Sequence, residues 1–261
     1  MTTAAKHRVL VTGSAGRIGQ AVVDALFARG HFVRGFDLVP TPRASDSIVG
    51  NIANNEAIIS ASRGTDTIIH LGAVPDDDDF LTKLLPNNIV PIHHILEAAR
   101  LNGNQRVILA STGQLNWYQQ FDGPYPIRVN DPLEPRYWYA AAKVFAEYAG
   151  KAYAMKHKID VIAARLGACP RDRALLDYIG ESEIVRDVYL SPGDAGRFFT
   201  CAVEAAGGFG FQVVYACSKW IQREVFDLEP ARRLLGFEPR DRWPEGIPPE
   251  IIGDKPIPGA P

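Results

Sequence analysis

The sequence predicts an α/β fold on a doubly wound parallel sheet of about seven strands, and three observations carry that prediction. Short β-rich runs alternate with stretches of helical periodicity; the first strand runs straight into a glycine-rich turn; and the central runs are apolar throughout. Strands separated by helices pair in parallel, and parallel strands covered on both faces read as unbroken apolar runs.

The elements follow in order. Arg8–Thr12 is the first strand, and from Ile18 the positions Val22, Val23, Leu26 and Phe27 keep helical spacing until Gly30 supplies a stop. Phe32–Asp37 is the second strand, with a short third near Ile48. Thr67–Leu71 and Arg106–Ser111 read as central strands. Between them Ile89, Ile92, Leu96 and Ala99 form one helical stripe that Asn102-Gly103 closes. Alanine, lysine and glutamate, all good helix formers, predict a helix from about Trp138 to Met155. Asp160–Leu166 and Phe211–Cys217 complete the sheet. Every strand is expected to be reached through a helical crossover except the irregular last one. Past Gly167 the regularity fades, and the last 18 residues, Pro244–Pro261, hold six prolines and should wrap the surface without regular structure. The chain reads as one domain, 1–261. Residues 1–166 form mainly the cofactor-binding core, and 167–261 form a small substrate lobe whose strand near 211–217 returns to the sheet.

Composition narrows the function classes. A net charge of −2 without a basic block gives no surface for nucleic acid, and no apolar run is long enough to span a bilayer. Met1–His7 is too short and polar for a signal peptide. Cys169, Cys201 and Cys217 stand at no metal-ligand spacing and read as buried, reduced thiols, so a soluble cytoplasmic protein without a metal site is expected.

The turn Gly13-Ser14-Ala15-Gly16-Arg17-Ile18-Gly19 lies between strand and helix. Glycine there permits a tight turn, close approach of a pyrophosphate and close packing of helix on strand, while the helix N-terminus offers free N–H groups to phosphate. This is the signature of a Rossmann-type dinucleotide site. The second strand ends in Asp37, 18 residues after Gly19, where an acid accepts hydrogen bonds from the 2′-OH of NAD and repels the 2′-phosphate of NADP. Arg17, Arg34 and Arg43 could offset that repulsion; the acid is expected to decide for NAD.

Tyr139 and Lys143 stand at i and i+4, on one face of the predicted helix. A free phenol titrates near ~10 and is a poor base at neutral pH. An adjacent ammonium and the positive ring of an oxidised nicotinamide would make it more acidic; bringing it near neutrality takes about 4 kcal/mol. The hydroxyls of Ser111 and Thr112 at a strand end belong to the same expected centre.

With these motifs the chain resembles the extended short-chain dehydrogenase/reductase family, and within it most nearly the uronate dehydrogenases. The resemblance runs from Val9 to about Gly236. It takes in His70-Leu71-Gly72-Ala73, Asn88-Ile89-Val90, Arg165-Leu166-Gly167 and the stretch from Phe226-Asp227-Leu228 to Leu235-Gly236-Phe237. It implies catalysis by Tyr139, Lys143 and Thr112. It also implies cofactor contacts from Gly13, Ala15, Gly16, Arg17, Ile18, Gly19, Asp37, Asn51, Ile52, Leu71, Gly72, Ala73 and Asn88, besides Tyr139 and Lys143. The implied reaction is oxidation of the anomeric C1 hydroxyl of a sugar to an aldonolactone by NAD, in a homodimer or higher homo-oligomer.

For the substrate, Arg186 falls where uronate dehydrogenases hold the carboxylate, with Arg171 and Arg173 nearby; Gln114 and Thr112 are added as contacts. Asn116, Trp117 and Tyr118 are expected along the pocket wall. Two positions depart from the family: Pro75 replaces a serine, and Gly113 replaces an asparagine. Missing hydrogen-bonding groups together with extra arginines point to an aldose with another anion at C6, a sulfonate or phosphate as readily as a carboxylate. The acidic run Asp76–Asp79 reads as a solvated loop. A nucleotide-sugar epimerase or dehydratase is the alternative enzyme, disfavoured because only 95 residues follow Leu166; a non-catalytic NAD sensor is disfavoured by the Tyr139/Lys143 pair.

Overall fold

Residues 5–260 are described by a computed structural model. Residues 1–4 of the polar N-terminal run and Pro261 of the proline-rich tail lie outside the described residues. Seven strands, β1 (Arg8–Thr12), β2 (Phe32–Asp37), β3 (Asp46–Val49), β4 (Thr67–His70), β5 (Arg106–Thr112), β6 (Asp160–Leu166) and β7 (Phe211–Ala216), form one sheet in the order β3-β2-β1-β4-β5-β6-β7. All neighbours pair in parallel. The α/β, Rossmann-type expectation is met.

Alternation along the strands builds two layers. Val9, Val11, Ile69, Ile108, Ile162 and Val214 pack with helices α1 (Arg17–Ala28), α8 (Pro192–Glu204) and α9 (Glu229–Leu235). Leu10, Ile68, Val107, Leu109 and Val161 face the other way, onto α2 (Asn55–Ser62), α3 (Val90–Asn102) and α5 (Trp138–His157). A third apolar cluster joins Ile127, Leu176, Tyr189, Phe226 and Trp243. It draws on the loops and short helices that follow β5, β6 and β7, among them α6 (Arg173–Glu181) and α7 (Glu183–Asp187); α4 (Trp117–Asp122) also follows β5. Strand order reverses between β1 and β4, and the carboxyl ends of those two strands open the crevice where such sheets bind ligands.

The connections differ from expectation at two places. β3 is reached through a non-helical loop, residues 38–45, because Pro40 and Pro42 prevent a helix. The last strand does follow a helical crossover: Ser191 caps α8 by accepting from the Asp194 amide, and Phe198, Phe199, Ala202 and Val203 are fully buried. A π-helical segment, Phe80–Ile89, precedes α3 and carries Pro86 inside it. The tail is irregular apart from one helical turn, α10 (Pro249–Ile252), held down by buried Ile247 and Ile251. Of the three thiols, only Cys217 is buried; Cys169 and Cys201 are half-buried, and all three are free. No helix among the described residues is long and apolar enough to cross a membrane.

Candidate active site

One cavity of about 770 Å³ runs along the carboxyl edge of the sheet. Its nucleotide end is built from the glycine turn. Gly13 has φ +70°, and a side chain there would stand 2.6 Å from the Gly72 amide, so β1 and β4 approach this closely only because the residue is glycine. At Gly19 any side chain would run into the Gly13 carbonyl, which lets α1 seat on the turn. The N-terminus of α1 has no side-chain cap and no acid in its first turn, whereas α2, α6 and α8 are capped by Asn54, Asp172 and Ser191. A bare helix N-terminus on a cradle of glycine fits the pyrophosphate of a dinucleotide.

Asp37 lies at the rim, accepting from the amides of Ala15 at 2.9 Å and Leu38 at 2.6 Å. The three arginines expected to offset its charge are engaged elsewhere: Arg17 with Glu250 at 2.5 Å, Arg34 with Asp46 at 2.7 Å, Arg43 with Asp24 at 2.5 Å. Gly13, Ala15, Gly16, Arg17, Ile18, Gly19, Asn51, Ile52, Leu71, Gly72 and Ala73 line the cavity as well. Asn88 does not. It is buried, and its amide accepts from the Val74 N–H at 2.8 Å and donates to the Val74 carbonyl at 2.9 Å, clamping the loop after β4.

Thr112, Tyr139 and Lys143 meet on the wall where β5 ends against α5. Lys143 Nζ stands 5.6 Å from the centroid of the Tyr139 ring and donates to the Ala110 carbonyl at 2.8 Å. The Thr112 hydroxyl, which accepts from the Gln114 amide at 3.2 Å, faces the same cavity as the phenol. Ser111 turns away and donates to Glu147 at 2.6 Å, inside a buried pair that Glu147 forms with Arg165 at 2.9 Å. Burial pushes the Tyr139 phenol well above its ordinary value, and Asp76 adds to that; Arg171 and Thr112 pull the other way. Burial also pushes Lys143 down to about 8 and the neighbouring His70, bonded to Thr12 at 2.7 Å, to about 3. The lysine and a bound nicotinamide ring were expected together to make the phenol acidic. Instead, in the protein alone, burial keeps the phenol neutral, and the groups drawing it down are Arg171 and Thr112.

The sugar end departs most from expectation. Arg171 and Gln114 line the cavity, but Arg173 and Arg186 do not. Arg173 donates to the carbonyls of Ile252, Lys255 and Pro256 and so holds the C-terminal tail; Arg186 donates to the Gly180 carbonyl at 2.7 Å. Their helices turn both guanidinium groups toward main chain, away from the cleft. Trp117 lines the cavity, while Tyr118 is exposed and Asn116 is buried against Tyr215 and the Pro132 carbonyl.

Asp77, Asp78 and Asp79 are exposed, as expected of a solvated loop, but Asp76 is half-buried and the run has protein partners. Asp76 pairs with Arg171 at 2.5 Å and accepts from the Gln114 amide at 3.2 Å. Asp77 accepts from the Tyr139 N–H at 3.1 Å, and Asp79 caps the π-helical segment through Thr82. Phe226 on the cavity wall was also missed. A side chain at Gly113 would stand 2.5 Å from its ring, so Phe226 fills the space beside Gly113.

Fold and site together define a Rossmann-type nucleotide-binding protein with a threonine–tyrosine–lysine centre. The chain belongs to the NAD dependent epimerase/dehydratase family, whose model matches residues 9–169. It is 30% identical over 252 residues to the L-arabinose 1-dehydrogenase (NAD(P)(+)) of Haloferax volcanii, covering 90% of this chain and 96% of that one. It is 27% identical to the uronate dehydrogenase of Pseudomonas putida, covering 92% and 87%. Among solved structures, the glucuronic acid dehydrogenase from Chromohalobacter salexigens superposes with a TM-score of 0.77 at 28% identity, covering 91% of this chain and 86% of that one. The resemblance to sugar dehydrogenases of the uronate dehydrogenase type is borne out.

Proposed function

We propose that the chain oxidises the anomeric C1 hydroxyl of an aldose to the aldonolactone with NAD as acceptor. The observation that carries this reading is the convergence of Thr112, Tyr139 and Lys143 on the same cavity as the glycine turn. Thr112 and the Tyr139 phenol hold the C1 oxygen, and Tyr139 takes its proton. Lys143, anchored on the Ala110 carbonyl, fixes a positive charge beside the ring. NAD, when bound, supplies the acceptor for the C1 hydride and a positive ring that favours the phenolate. With Asp37 at the rim and Arg17, Arg34 and Arg43 already paired, NAD is preferred over NADP.

Residues 1–166 hold mainly the cofactor and 167–261 mainly the sugar. The anion expected at C6 keeps one carrier, Arg171, and that arginine is already paired with Asp76. Self-association runs along α5, where Trp138, Phe145, Tyr148 and Met155 are exposed at heptad-like spacing; the expected compartment is the cytoplasm. The test is net NADH release across neutral and C6-anionic aldoses, with NADP run alongside. A dehydrogenase accumulates NADH with at least one of them. A chain that binds NAD yet releases none, or that turns over a nucleotide sugar without net NADH, is not this enzyme.

A further inference from the structure

We propose that Asp76 determines specificity at the sugar end: its carboxylate occupies the Arg171 fork, so the pocket takes a neutral aldose and turns away one with a carboxylate or phosphate at C6. This inference rests on the aldose dehydrogenase reading and names its substrate class.

Charge is the first argument. Of the three arginines that could have gripped an anion, only Arg171 lines the cavity, and two carboxylates already hold it: Asp76 at 2.5 Å on Nη1 and Asp172 at 3.2 Å on Nε. Asp76, Asp172 and Arg171 together carry a net charge of −1, and an incoming anion meets a guanidinium already shared between two carboxylates. A substrate carboxylate would have to displace a tethered one that has no translational freedom to lose.

Placement is the second. Asp76 adopts φ 58°, a left-handed conformation that a non-glycine residue holds only where its surroundings fix it. The fixing groups flank it on both sides. Asn88 clamps Val74, Asp77 is tied to the start of α5 at the Tyr139 amide, and Asp79 caps the π-helical segment. Gln114 donates to the second Asp76 oxygen. The carboxylate is therefore a built part of the wall, and its remaining lone pairs suit sugar hydroxyls, which donate, rather than an anion, which cannot. Beside it, the Phe226 ring fills the space at Gly113 with apolar surface.

The experiment compares kcat/KM for NADH release with glucose and with glucuronate, identical except at C6. The native protein should prefer glucose. In Asp76→Asn, which keeps the shape and removes the charge, the glucuronate-to-glucose ratio should rise about tenfold, the size expected for one nearby, partly screened charge. The second arm adds Arg171→Met to Asp76→Asn, which restores the native charge sum at this corner. The gain in Asp76→Asn comes from the freed guanidinium, so the double variant should return to within about threefold of the native ratio. A native preference for glucuronate, an unchanged ratio in Asp76→Asn, or a rise that persists in the double variant would each overturn the inference while leaving the dehydrogenase reading intact. Absence of NADH release with every aldose would overturn the reading itself, and the inference with it.

Discussion

At the nucleotide end of the cleft the wall is main chain, with Gly13 pressed against Gly72 and α1 seated on the turn at Gly19, whereas at the sugar end it is side chains reaching across from separate loops. The first kind of wall is rigid by construction: its geometry is set by which residues lack a Cβ, and a substitution either fits or breaks it. The second is adjustable. Asp76, Arg171, Gln114 and Phe226 come from four different connections, and any one can change without disturbing the sheet. A fold that holds its cofactor with backbone and its sugar with loop side chains can change substrate while keeping its chemistry.

The largest expected effect falls where the two ends join. Tyr139→Phe removes the only phenolic O–H of the centre and should lower kcat by roughly 10³-fold, a typical loss for a general base. NAD affinity, followed by fluorescence titration, should stay within a few-fold of native. A variant that loses NAD binding instead would mean that the centre is not separable from the nucleotide wall.

Next comes an acid sensitivity seated under the rigid end. His70 is fully enclosed, and its folded value of about 3 lies below its ordinary value near 6.5. Below 6.5 the unfolded chain gains a proton that the folded chain refuses. Stability should therefore fall as pH drops from about 6.5 toward 3, by up to about 1.4 kcal/mol per pH unit from this group, and the penalty is absent above 6.5. In His70→Gln, urea midpoints measured from pH 7 to pH 5 should show a shallower slope even if the pH 7 value is lower. An unaltered slope would assign the sensitivity elsewhere.

The smallest effect belongs to the adjustable end. Arg173→Met frees three tail carbonyls and should cost about 1–3 kcal/mol of stability. It should raise the sugar KM severalfold and leave NAD affinity unchanged. A matching loss of NAD affinity would show that the tail, through Glu250 and Arg17, ties the two ends together.

The same division decides what could be read in advance. The strands, the glycine turn, Asp37 and the Tyr139/Lys143 pair report on local backbone and helical spacing, which the sequence carries directly. Arg186 was expected on the substrate from the resemblance and Arg173 as its neighbour, but neither position nor residue type says which way a short helix turns a guanidinium. The acidic run Asp76–Asp79 read as solvent-facing because four like residues in a row have no pattern; its partners Arg171, Gln114, Tyr139 and Thr82 appear only once the loops are in place. Phe226 was legible as part of a C-terminal resemblance, yet its contact with Gly113 depends on tertiary packing. For Tyr139 spacing names the neighbouring lysine but not the burial, which raises the phenol in the protein without cofactor.

Ser111 and Thr112 sit side by side in β5 and both line the cavity, but the Ser111 hydroxyl is bonded to Glu147 while the Thr112 hydroxyl accepts from the Gln114 amide. Consecutive residues of a strand project to opposite sides, so the two hydroxyls are not spares for each other. Parity assigns one to the buried ion pair and the other to the reacting oxygen. A slip of β5 by a single residue against β4 and β6 would exchange them, with the sheet still formed and every apolar residue moved to the wrong layer. The pairing of Ser111 with Arg165 and of Thr112 with Leu166 thus carries catalytic information as well as holding the core in register.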